Sequence, residues 1–149
     1  MKKNIISNNG NINGPNSAKY GKNNIESIKN AIEYGFDVKV DVWMSNNNIC
    51  CGNYNNLIPI DKYYLIHNKI WFNCMDILSF HYLKEIKGSR AFLNMKDSLS
   101  FNNKFWTTNK NLTKNSIALL PELQFGWDLT FCYGICTDYP EFYSIINDD

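Results

Sequence analysis

The clearest pattern in the chain is the run Asp-Val-Lys-Val-Asp-Val-Trp-Met from Asp37 to Met44. Side chains along a strand point to opposite faces in turn, so Val38, Val40, Val42 and Met44 share one face and Asp37, Lys39, Asp41 and Trp43 the other. Just upstream, Ile25, Ile28, Ala31 and Ile32 recur at helical spacing. They predict a helix over 24–34, with Asn23 or Asn24 as its cap and Gly35 at its end. Short apolar runs predict further strands at 4–7, 69–72, 91–94, 104–107, 117–120 and 134–137, and a short return strand at 49–51. A second helix is expected from 76 to about 86, closed by Gly88, while Pro121 and Pro140 punctuate strand ends.

Strands alternating with helices favour a parallel sheet built by crossovers. Without the 49–51 segment there are seven strand candidates in 149 residues, too little chain for eight full β/α units. Several crossovers must therefore be loops, and a single stripped-down or half-open barrel spanning 1–149 is expected. In a barrel the all-valine face of 37–44 packs on outer helices. Lys39 and Asp41 then point inward, near the strand end where barrel sites sit. The alternation alone equally allows an open sheet with these charges in water.

Composition narrows the function classes. Fifteen Lys and Arg oppose fourteen Asp and Glu, so no overall field draws the chain to nucleic acid or to an anionic membrane. No apolar run is long enough to span a bilayer, and Met1 to Ser7 is too short for a signal peptide, so membrane insertion is not expected. The five cysteines form no CxxC pair and leave one odd, which argues for reduced thiols in a cytosol-like compartment rather than disulfides or zinc. Asn is the commonest residue, with 24 positions; Ile and Lys are also plentiful. Their codons share A and T, so a low-GC genome accounts for the bias; a viral genome, and a virion protein, fit it too.

Three segments carry a family resemblance. Ile5-Ile6-Ser7-Asn8-Asn9-Gly10 resembles the Ile-Ser-His-Arg-Gly opening of the glycerophosphodiester phosphodiesterases. From Asn23 through Lys39-Val40-Asp41 to Gly52-Asn53, the chain resembles that family's helix start, its Glu-x-Asp strand and its following Gly-His turn. Gly134-Ile135-Cys136-Thr137-Asp138-Tyr139-Pro140 is similar to its late strand, and Leu120-Pro121-Glu122 to another. The order agrees across nearly the whole chain. The resemblance implies a compact, reduced TIM-like (β/α) barrel with about seven short parallel strands.

It also implies a site. The family cleaves phosphodiesters with two histidines as general acid and base and a divalent metal held by carboxylates. Here the first His falls on Asn8, the Arg on Asn9 and the second His on Asn53. The Glu of Glu-x-Asp falls on Lys39, and its Asp is kept as Asp41. Two further family positions fall on Asn73 and Asn94. An amide has no proton to exchange near neutral pH, and Lys39 sets a cation where a metal needs an anion. No catalytic residue, metal or cofactor is therefore expected. The expected arrangement is Lys39 paired with Asp41 and Glu122 in an Asn-lined pocket. The implied function is a non-catalytic binding or structural protein, with Lys39 anchoring a small polar or phosphate ligand. An active phosphodiesterase would need Asp41, Glu122, Asp138, His67 and His81 to converge. A third reading is a protein-interaction module that uses Tyr63, Tyr64, Trp127 and Phe131.

Overall fold

A computed structural model describes residues 2–148. The helix expected at 24–34 is α1 (Ile25–Glu33): the Asn24 side chain accepts from the Glu26 N–H, and Gly35 follows the end with φ +95°. The strand with the alternating pattern is β2 (Asp37–Ser45). Val38, Val40 and Val42 are fully buried against Ile28 and Ala31 of α1 and Leu83 of α2 (Ile77–Lys84). Lys39, on the opposite face, is buried too, so the open-sheet placement with this charge in water does not hold.

The protein is of the α/β class. Strands β1 (Asn4–Asn8), β5 (Ile70–Cys74), β6 (Ala91–Leu93), β8 (Phe105–Thr107), β9 (Ser116–Leu119) and β10 (Gly134–Thr137) join β2 in one parallel run. Their order is β6-β5-β2-β1-β10-β9-β8. Three pairings depart from the all-parallel expectation. The antiparallel hairpin β3 (Asn48–Asn53) and β4 (Asn56–Pro59) continues from β2, and β7 (Asp97–Leu99) turns back on β8. Each of these pairs is joined by a short connection, which permits only antiparallel pairing. Alpha-helices occupy the β1–β2 and β5–β6 connections. A 3-10 turn at Lys62–Ile66 leads into β5, another at Pro121–Leu123 follows β9, and α3 (Pro140–Asp148) follows β10.

The sheet is strongly curled. β6 and β8 stand six strand spacings apart, about 29 Å across a flat sheet at roughly 4.8 Å per strand. Yet Phe92 of β6 stacks on Trp106 of β8 with ring centroids 4.2 Å apart. The Phe101 N–H also donates to the Ala91 carbonyl at 3.0 Å, so the two edges meet. Curling gives the sheet two cores. Outside, the valines of β2 pack under the helices; inside, Ile6, Trp71, Phe92, Trp106, Ile117 and Cys136 each come from a different strand.

Asp37 seals the interior at the end where the parallel strands begin. Its Oδ2 accepts from Asn4 Nδ2 at 2.7 Å and from Trp71 Nε1 at 2.8 Å. Arg90 approaches to 3.7 Å and lies over the Trp71 ring. Asp37→Ala would strand the buried indole N–H and remove the acid that faces Arg90. A stability loss of about 2–3 kcal/mol is expected, read as a lower urea midpoint at unchanged slope.

Candidate functional site

The parallel strands end together on the opposite side, and their inward side chains there are polar: Asn8 on β1, Lys39 and Asp41 on β2, Asn73 on β5, and Asp138 just past β10. The chain builds this end with tight local geometry. Asn9 and Asn23 both take positive φ, a conformation asparagine tolerates better than most residues. Gly10, at φ +93°, has no room for a side chain: a Cβ there would lie 2.9 Å from Ser27 Cβ. Asn23 ties three segments together. Its Oδ1 accepts from the Asp41 N–H at 2.8 Å, and its Nδ2 donates to the carbonyls of Asp41 at 2.8 Å and Gly52 at 2.9 Å.

Two carboxylates organise the rest. Asp41 Oδ1 accepts from Lys39 Nζ at 2.8 Å and from Asn73 Nδ2 at 2.9 Å; its Oδ2 accepts from Asn9 Nδ2 at 3.2 Å. Asp138 Oδ1 accepts from Asn8 Nδ2 at 2.8 Å and from Asn11 Nδ2 at 2.9 Å. Burial pushes the Asp41 carboxyl up, but the Lys39 ammonium and the hydrogen bonds from Lys39, Asn73 and Asn9 outweigh it and hold the group below the usual carboxylate range. The amides give their donors to these carboxylates and leave Asn8 Oδ1, Asn9 Oδ1 and Asn73 Oδ1 without a partner, as is Glu122 Oε2. A cleft of about 410 Å³ lies beside Asp41, lined also by Lys22, Asn23, Trp43 and Tyr54.

No protein-family model, curated protein or solved structure matches this chain.

The family resemblance implies a divalent metal, and the residues present do not fit one. Lys39 places an ammonium on Asp41, and no three His, Cys, Asp or Glu side chains are grouped to hold a metal among the described residues. Of the expected site residues, Asn8, Asn9, Lys39, Asp41, Asn73 and Asn94 are brought together. Asn94 is exposed and accepts from Asn73 at 3.2 Å. One expectation needs correction. Glu122 does not pair with Lys39; its Oε1 accepts from the Thr137 hydroxyl at 2.9 Å and the Asp138 N–H at 2.8 Å, because the Pro121–Leu123 turn aims it at the end of β10. Asn53, although exposed and accepting from the Asn55 N–H within its own hairpin turn, lines the cleft beside Asp41.

Asn11, Asn23 and Asp138 are the members that the position-by-position reading left out. Asp138 stands inside the quoted Gly134–Pro140 motif, so a signal for it was present. The histidines are elsewhere. His67 precedes β5, at the end where the strands begin, and His81 is exposed in the last turn of α2. Cys136 lies beneath the mouth, but burial pushes its thiol far up, so it presents no thiolate. The aromatics proposed for an interaction module are divided between the Lys62–Ile66 turn, which carries Tyr63 and Tyr64, and the β9–β10 connection, which carries Trp127 and Phe131.

Because the folded Asp41 carboxyl sits below its ordinary pKa of about 4, it stabilises the fold above that pH. The contribution is lost as pH falls through the lower folded value. Lys39→Met leaves the carboxylate buried with amide donors only. A loss of about 3 kcal/mol at neutral pH is expected. The deficit should shrink toward pH 4, where the variant's Asp41, no longer held down by the ammonium, takes up a proton. Urea titrations of both proteins across that range measure it.

Proposed function

We propose that this chain is a non-catalytic relative of the glycerophosphodiester phosphodiesterases, a reduced TIM-like barrel that keeps its strand-end mouth as a polar binding surface. The barrel reading is supported by the strand order, which runs β1, β2, β5, β6, then β8, β9, β10 and back to β1. The functional reading rests on one observation: the carboxylate at the place of the family's metal ligand is already taken by Lys39, Asn73 and Asn9. Phosphodiester hydrolysis needs a proton acceptor, a proton donor and stabilisation of charge on the phosphoryl oxygens, and each positioned acid or base supplies about 10²–10⁴-fold. The amides at Asn8 and Asn53 supply no such proton transfer.

The same geometry disfavours a phosphate anchored on Lys39. Its ammonium is neutralised by Asp41, and the carboxylates of Asp138 and Glu122 stand close by. A small polar ligand suits the cleft, with Trp43 and Tyr54 as its walls and Asp41 and Lys22 as polar partners.

Glycerophosphodiesters should show no turnover above background, with or without Mg²⁺ or Ca²⁺. Calorimetry should find no metal site tighter than roughly millimolar. Asn8→His with Asn53→His should leave turnover at background, since Lys39 still occupies Asp41. Metal-dependent turnover by the unmodified protein, abolished in Asp41→Ala, would overturn the reading.

A further inference from the structure

At the end where the parallel strands begin, opposite the mouth, α2 runs out into the connection Lys84-Glu85-Ile86-Lys87-Gly88-Ser89-Arg90 that leads to β6. The β7–β8 turn lies against it, tied by the Phe101 N–H that donates to the Ala91 carbonyl. A cleft of about 320 Å³ opens between the two segments, lined by Lys84, Ile86, Lys87, Ser89, Arg90 and Phe101. Every charged side chain that lines it is a cation.

The protein does not neutralise these cations. Lys84 and Lys87 form no ion pair among the described residues, although Glu85 lies between them in the chain. The acid nearest Arg90 is Asp37, at 3.7 Å, and that carboxylate already accepts from Asn4 at 2.7 Å and Trp71 at 2.8 Å. The carbonyl end of α2 adds only a partial negative charge. Lysines standing in water would account for that much, but not for Ser89. It is only 5% exposed, and its hydroxyl has no hydrogen-bond partner. A buried hydroxyl is ordinarily paired with protein, water or a ligand.

We propose that this cleft binds a phosphate dianion, free or as the head of a small phosphomonoester. Lys84, Lys87 and Arg90 supply the charge, and the Ser89 hydroxyl donates to one of the oxygens. Three cations exceed what a single carboxylate neutralises, whereas a phosphate carries close to two charges and three strong acceptor oxygens. A guanidinium pairs with two phosphate oxygens at once, and lysines add point charges around it. Ile86 and Phe101 form an apolar wall on which an organic substituent lies. The contrast with the mouth is direct: Lys39 is bound to Asp41, while the cations here have no such partner. The inference concerns the other end of the molecule and does not rest on the reading of the mouth.

Calorimetric titration of the full chain with inorganic phosphate and with phenyl phosphate tests it, in a phosphate-free buffer at about pH 8, where both are dianions. One site of submillimolar Kd is expected. Tighter binding of phenyl phosphate identifies a monoester as the ligand, and equal or weaker binding the free ion. Ser89→Ala should weaken binding about tenfold, as loss of a hydrogen bond to a charged group does. It should not lower the melting temperature of the phosphate-free protein, since that hydroxyl has no protein partner to lose. Lys84→Gln with Lys87→Gln should weaken binding about tenfold or more. Both lysines are exposed, so this variant decides the matter if Ser89→Ala does not fold. Lys19→Gln with Lys96→Gln removes two exposed cations from the mouth end and should change nothing. The proposal fails if neither compound binds, or if a folded Ser89→Ala or the Lys84 and Lys87 variant binds like the parent. It also fails if the Lys19 and Lys96 variant weakens binding as much, for then general charge rather than this cleft holds the anion.

Discussion

The ion pair between Lys39 and Asp41 is the interaction on which the mouth depends. Both groups lie two residues apart on one face of β2, and that face points into a curled sheet, where Lys39 is buried and Asp41 half-buried. A lone carboxylate there would bear a large desolvation penalty. The protein meets it with one ammonium and two amide donors, and Asp138 is met in the same way by Asn8 and Asn11. Direct donors thus do the neutralising that a divalent cation does in an oxygen-ligand site. Such a set is rigid and geometrically specific. The remaining oxygens of Asn8, Asn9 and Asn73 accept from no protein group.

Much of this was legible in the sequence, because the strongest signals were strictly periodic. The alternation in β2 foretold which side of that strand meets the helices and which meets the interior. The start of α1 was legible through Asn24. The elements that escaped notice lack such periodicity. β7 is three residues long, too short to alternate, and β4 ends in Pro59, which reads as a strand breaker but is tolerated at an edge. Pro140 reads as punctuation in the sequence, yet it is the first residue of α3, where its missing N–H is harmless.

Asparagine shows a different limit. Base composition explains why the residue is common, but not where it stands. Of the seven non-glycine residues with positive φ among the described residues, six are asparagines: Asn9, Asn16, Asn23, Asn46, Asn47 and Asn103. The same residue type turns the backbone at Asn9 and Asn23 and supplies the donors that surround Asp41. Site membership was therefore only partly legible. The resemblance pointed to Asn8, Asn9 and Asn73, whereas Asn11 and Asn23 enter through loop geometry that no local pattern announces. Glu122 was found but given the wrong partner, because the direction of a side chain on a short 3-10 turn is set by tertiary packing.

The pairing of β1 with β10 has a kinetic meaning. Ile6 lies against Cys136 in that ladder, and Asn8 reaches Asp138 across 130 positions of chain. Contacts of such separation close large loops and form late when local structure forms early. The amide grip on Asp138 cannot exist until the last strand has docked on the first. A folding intermediate that holds only β1, β2, β5 and β6 would carry Lys39 and Asp41 but no second carboxylate cluster. Completion of the polar mouth and docking of the last strand on the first are one event, so a partly folded molecule cannot display a finished site.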